Sequence, residues 1–184
     1  MLRLDRYVWL NFHIDANRIN SRRKLEHMNR IEKWADDDVI FLEMSQVAQE
    51  EAVASGDPQR KYKAYTYGAT ETLLSFPHER RLWREIEKIF FPAGAGMISE
   101  KRDVEILFNA IKYDAILITD DGASKKQPGG ILGNRDRLRR LGVVVMRDEE
   151  VVRMVEALIK KRDDLAGKLS QEMGEVLPAW VGKD

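Results

Sequence analysis

Asp15 closes the apolar run YVWLNFHI, and much later Asp120 and Asp121 close a second run, AILIT. One aspartate after a strand is an ordinary turn residue. Two strands that both end on acids ask for a chemical reason, and further acids lie between them. Asp103 falls in the first turns of a helical stretch, and Glu50 and Glu51 fall in the second turn of another. Carboxylates gathered in one place repel and raise one another's pKa unless a positive charge joins them. Oxygen-only ligands select a hard cation, Mg²⁺ or Mn²⁺, and such ions bind best together with substrate phosphates. A site of that kind activates water and stabilises charge on a phosphodiester, which is hydrolytic nuclease chemistry. Each acid also has a bland reading: Asp103 alone is ordinary compensation of a helix dipole, Glu43 faces solvent from a strand end, and Asp36 to Asp38 form a loop.

The acids meet only if the elements carrying them are neighbours. Residues 7–14 are aromatic, β-branched and uncharged, as in a buried strand. Ser21 can cap a helix running to about Ala35, VIFLEM (39–44) reads as a second strand, and Ser45 can cap a helix to about Ser55. GDPQRKYKAYTYG is rich in turn formers and basic, and its pattern settles no element. Residues 79–91 are helical by spacing, and Ser99 opens a helix over EKRDVEILFNAIK. A strand at 115–119, a Gly-rich loop at 129–133, a basic helix near 134–141, a strand at 143–146 and a helix from Glu149 to about Leu165 complete the order. Strands alternating with helices predict an α/β fold, a three-layer α/β/α sandwich around a mainly parallel sheet with an extra C-terminal helix. In such a sheet, ligands bind beyond the carboxyl ends of the strands, where Asp15 and Asp121 would lie. Residues 1–165 form one domain in this reading, and 166–184, which keep spaced apolar residues and Trp180, form a tail docked on it or on a partner. Trp9, Phe41 and Phe108 are expected in the core by spacing, and Trp83 and Trp180 are expected to be packed.

Composition narrows the chemistry. There is no cysteine, so thiolate chemistry is excluded, and His13, His27 and His78 lack metal-ligand spacing, so a zinc site is not expected. Apolar residues make up 43% and charged residues 34% of the 184, a globular rather than a disordered balance. No run reaches the length of a membrane span, and the first residues carry Asp5 and Arg6 where a signal peptide would be apolar, so a cytoplasmic protein is expected. Lys plus Arg and Asp plus Glu both total 31, so no global charge draws nucleic acid. Basic clusters do occur at 60–63, 78–84, 125–126 and 135–140, ordinarily solvated faces.

In order and spacing the acids resemble those of the PIN-domain family of metal-dependent ribonucleases. That pattern is an apolar strand ending in Asp, a small residue and Asn; a Glu on the helix after the second strand; an Asp opening a helix with an Ala further along; and a strand ending Thr, any residue, Asp. Here these are Asp15-Ala16-Asn17, Glu51 or Glu50, Asp103 with Ala110, and Thr119-Asp120-Asp121. The resemblance covers residues 7–146 and implies that Asp15, Asp103 and Asp121 hold Mg²⁺ or Mn²⁺, with a catalytic Glu beside them. It implies that Asn17 and Thr119 orient carboxylates or water. Glu51 is favoured because Ala48 and Ala52 flank it on one helical face and because the family follows this Glu with an apolar residue, whereas Glu50 is followed by Glu51. Asp121 is favoured over Asp120 because it stands two residues after Thr119. An RNA substrate, a homodimer and an inhibitory protein partner are the interactions implied, with Lys125, Lys126 and Arg135 as candidate phosphate contacts. Residues 53–98 and the tail lengthen the chain beyond many toxins of the family.

Two other classes compete. An Asp-centred phosphatase or phosphoacceptor domain would use a strand-end Asp as nucleophile, but needs a second Asp where this chain has Asn17. A nuclease-like fold kept as an inactive RNA-binding or protein-interaction scaffold would have no use for clustered acids.

Overall fold

A computed structural model describes residues 5–122 and 129–184. It is an α/β structure whose five strands, β1 (Asn11–Ile14), β2 (Phe41–Ser45), β3 (Gly68–Thr70), β4 (Ile116–Ile118) and β5 (Val145–Met146), form one all-parallel sheet. Their order is β3-β2-β1-β4-β5. β1 lies at the centre, so the chain grows outward to one side and then returns to grow outward on the other. The point of reversal is the β1–β4 pair, where Ile14 is in register with Ile118.

Helices α1 (Glu26–Asp36) and α8 (Asp148–Met173) pack on each other as one outer layer, and α4 (Pro77–Phe90) and α5 (Ile98–Lys112) as the other. α2 (Gln46–Ala54) and α3 (Pro58–Ala64) pack together beside β2, and two short helices, α6 (Gly130–Gly133) and α7 (Arg135–Arg139), lead into β5. The core between the layers holds Phe12, Ile14, Met28, Ile31, Met44, Leu107, Leu117 and Ile118, all fully buried. Each contributes about 1.5–3 kcal/mol of transfer free energy.

Several elements differ from their sequence patterns. The first strand begins at Asn11 rather than at residue 7, because Trp9 takes a left-handed backbone (φ 54°) and turns its ring outward, 73% exposed. The chain before it still bonds to the segment leading into β2, Val8 N–H donating to Val39 O at 2.9 Å. Neither Trp9 nor Phe41 is a core residue: Phe41 is exposed and stacks on Tyr7, whereas Phe108 is buried as expected with Trp83 against it. Ser21 does not cap α1. Asn20 holds the Leu25 backbone from both sides, accepting from its N–H and donating to its C=O, and the helix starts only at Glu26. The unsettled stretch after Gly56 forms α3, capped by Asp57 on the N–H groups of Gln59 and Arg60, and then β3. α8 runs to Met173, well past Leu165. Beyond it Trp180 lies over the Arg162 guanidinium, 4.4 Å to the ring centre, and Asp184 bonds to both Arg162 and Arg6. Among the described residues no helix is long and apolar enough to cross a membrane.

Candidate active site at the switch between β1 and β4

Parallel pairing puts one residue from each of four strands in a row at the carboxyl edge. Ser45 is in register with Thr70; continuing the β1–β2 ladder by two steps sets Asp15 beside Ser45, and continuing the β1–β4 ladder by one sets Thr119 beside Asp15. All four are buried polar side chains. A buried polar group needs a partner, and two of these find one outside the Asp15 unit: Ser45 caps α2 by accepting from Ala48 N–H, and Thr70 donates to Met44 O and Asn109. The partners of Asp15 define the site. Its Oδ2 accepts from the Thr119 hydroxyl at 2.5 Å and from Asn17 Nδ2 at 2.7 Å. Asn17 also reaches across the switch point, its Oδ1 accepting from Asp120 N–H at 3.1 Å. The strand-end Asp, the Asn two residues on and the Thr ending β4 are therefore one hydrogen-bonded unit.

Asp121 joins that unit through its backbone, donating its N–H to Thr119 Oγ1 at 3.0 Å. Its side chain accepts from Ile131 N–H at 2.8 Å and its carbonyl from Leu132 N–H at 3.0 Å, so the start of α6 fixes where it stands. Gly130 makes this approach feasible: a Cβ there would lie 1.6 Å from Gly122 O, and its φ is 53°. Asp120 points elsewhere, toward Arg18 and Arg147 at 3.6 Å each. Asp121 is thus the acid of the pair that acts on Asp15.

α2 packs against the 3-10 turn that follows Asp15 (Ala16–Arg18), which brings Glu51 toward the acids. Burial lifts the Asp15 carboxyl to about 6; the Thr119 hydroxyl opposes the rise, and the charges of Glu51 and Asp121 add to it. Glu50 faces another way, accepting from Gln46 and lining a groove with Lys101 and Arg102. Asp103 stands on α5 at positions i, i+4 and i+7 with Leu107 and Ala110, both fully buried. That shared face looks toward the sheet, and Asp103 is partly buried at its end nearest the carboxyl edge.

The structure brings Asp15, Asn17, Thr119 and Asp121 together and puts Glu51 within electrostatic reach. Among the described residues, no group of three or more His, Asp or Glu side chains closes to the spacing of ligands around a common ion. In chemistry the donors suit a hard cation: they are carboxylates, one of them raised by burial and, to a smaller extent, by neighbouring carboxylates, a cost that a divalent ion relieves.

The buried pair Arg18–Asp148 had no signal in the sequence. Its members stand 130 residues apart, and only the fold brings the 3-10 turn against the start of α8. Arg60 was equally hidden; its guanidinium donates to Ala16 O at 2.6 Å and ties α3 to the site. Arg135, expected near phosphate, pairs with Glu150 at 3.0 Å, and Lys125 and Lys126 lie outside the described residues.

Scanned against models of protein families the sequence matches none, and none of the curated proteins compared with it matches.

Proposed function

We propose that the protein is a Mg²⁺- or Mn²⁺-dependent nuclease that hydrolyses RNA phosphodiester bonds, as its resemblance to PIN-domain ribonucleases implies. The observation that carries the reading is Asp15 at the switch point, held by Asn17 and Thr119, its carboxyl raised chiefly by burial and further by the charges of Glu51 and Asp121. Clustered, partly unneutralised acids lower stability, and a protein keeps such an arrangement where it serves chemistry.

Asp15, Asp121 and Asp103 are the residues that would hold the ion. When bound, the ion supplies Lewis-acid stabilisation of charge on the phosphate and a lowered pKa for water. The chain's own contribution is orientation. Asn17 and Thr119 fix one carboxylate oxygen of Asp15 and so aim the other, the N–H groups of Ile131 and Leu132 fix Asp121, and Arg18 with Arg147 keeps Asp120 turned away. Glu51, exposed on α2, is placed to take a proton from attacking water. The same reading sets the protein in the cytoplasm, where RNA and Mg²⁺ are abundant.

The test is cleavage of a labelled single-stranded RNA by purified protein with Mn²⁺ or Mg²⁺. Cleavage should stop in EDTA and be abolished in Asp15→Asn. Thr119→Val, which removes a partner of the carboxylate but no carboxylate, should slow it roughly 10- to 100-fold. Cleavage that persists in Asp15→Asn, or in excess EDTA, rejects the assignment.

A further inference from the structure

Beside the acid site lies a groove whose chemistry is of the opposite sign. It has a volume of about 530 Å³ and runs between α3 and the loop that leads from the 3-10 turn to α1. Gln59, Tyr62, Lys63 and Thr66 line one wall, and Asn20 and Arg23 stand on the other. Positions 59, 62 and 63 recur at helical spacing, so α3 presents them as one stripe, and Thr66 continues it in the turn beyond the helix. None of the residues lining the groove is acidic. The groove between α1 and α8, by contrast, is lined by Glu26, Glu149 and Glu156 among its cations.

Tyr62 is 76% exposed. An aromatic ring so placed adds nothing to the core, and it stands in a run, RKYKAY, where cations alternate with tyrosines. Of the two cations that line the groove, Lys63 pairs with Glu32, and among the described residues no ion pair engages Arg23. A cationic groove with an open aromatic face matches a strand that offers phosphates along its edge and unstacked bases. A duplex, with its bases stacked inside, has nothing to lay on Tyr62. The groove is also coupled to the acids: Arg60 of α3 donates to the carbonyl of Ala16, next to Asp15, and the Asn20–Arg23 loop follows the same turn in the chain.

We propose that this groove binds single-stranded nucleic acid, a base stacking on Tyr62 and phosphates passing Arg23, and so leads the strand to the acid crevice. This deepens the nuclease reading and rests on it for the destination of the strand, but binding is measurable without cleavage. The experiment is fluorescence anisotropy of a labelled single-stranded oligouridine with the full chain in EDTA, where no cleavage competes. Parallel arms use oligothymidine and an RNA duplex. Tyr62→Ala should weaken binding of the single strand about 5- to 100-fold, and Tyr62→Phe, which keeps the ring, should bind as wild type does. Arg23→Gln should reduce the slope of log affinity against log salt by about 0.7 for the phosphate no longer neutralised. Equal losses for RNA and DNA strands assign the groove to either, and a loss for RNA alone assigns it to RNA. Wild-type affinity in Tyr62→Ala, or duplex binding as tight as single-strand binding, overturns the groove while leaving the Asp15→Asn test of cleavage untouched. Groove-dependent binding in a protein that cleaves nothing with any divalent ion would retain the groove and reject the nuclease.

Discussion

Asp15 and His13 stand two residues apart on β1 and pull stability in opposite directions with pH. Burial lowers His13 to about 4, with neither ring nitrogen hydrogen-bonded. Its folded pKa lies below the unfolded value near 6.5, so the unfolded chain binds the extra proton, and stability falls as pH drops from about 6.5 to 4. Asp15 is raised from 3.8 to about 6, so the folded chain binds the proton more tightly. Its penalty is absent below the unfolded value, grows as pH rises through about 6, and reaches about 3 kcal/mol at neutrality. Between these limits the two slopes nearly cancel. Asp15→Asn should therefore leave the metal-free protein about 1–2 kcal/mol more stable at pH 7, the gain being reduced by weaker hydrogen bonds to Asn17 and Thr119. It should also uncover a rise in stability with pH between 4 and 6.5. Urea midpoints at three pH values decide the matter, and a less stable Asp15→Asn protein at pH 7 would make the carboxylate structural.

The site depends as much on the short helix α6 as on the strands, because α6 holds Asp121 through two backbone N–H groups. That hold requires the Gly130 backbone to pass against Gly122. Gly130→Ala should cost at least about 2 kcal/mol in thermal unfolding, from a left-handed φ and a clash with backbone that cannot yield, and it should weaken Mn²⁺ binding more than an alanine at Gly142 does. The strands and the helices α2, α4, α5 and α8 were legible because uncharged runs and three- and four-residue spacing report burial directly. β3 was not, since Gly-Ala-Thr has no apolar alternation and becomes a strand only by pairing beside β2. Trp9 misled for a related reason: apolar character signals burial only while the backbone stays extended, and at φ 54° it does not. Within the site, Asp15, Asn17, Thr119 and Asp121 were readable as strand-end residues. The partners that discriminate between Asp120 and Asp121, Arg18 and Arg147, were not, because partner choice across such separations belongs to the fold.

Taken as a whole, the molecule builds its site from chain segments far apart in sequence, Asp15 and its partner Thr119 being separated by 104 residues. The Asp15 amide is itself a rung of the ladder between them, donating to Ile118 O at 2.9 Å. Closing a loop of that length costs about 4 kcal/mol of chain entropy before any contact offsets it. Pairing of β1 with β4 is accordingly a late event in folding, and separating them divides the sheet at its centre. Amide hydrogen exchange at Asp15 and Thr119 should thus proceed only through global unfolding, with an exchange free energy equal to that from urea titration, whereas amides of the edge strand β3 exchange through local opening. Faster exchange at Asp15 than at Phe12 would mean that the two walls part without unfolding. On the nuclease reading the kinetic consequence is that a chain caught before β1 and β4 pair would hold no assembled site, and cleavage should return during refolding no sooner than the Asp15 amide becomes protected from exchange.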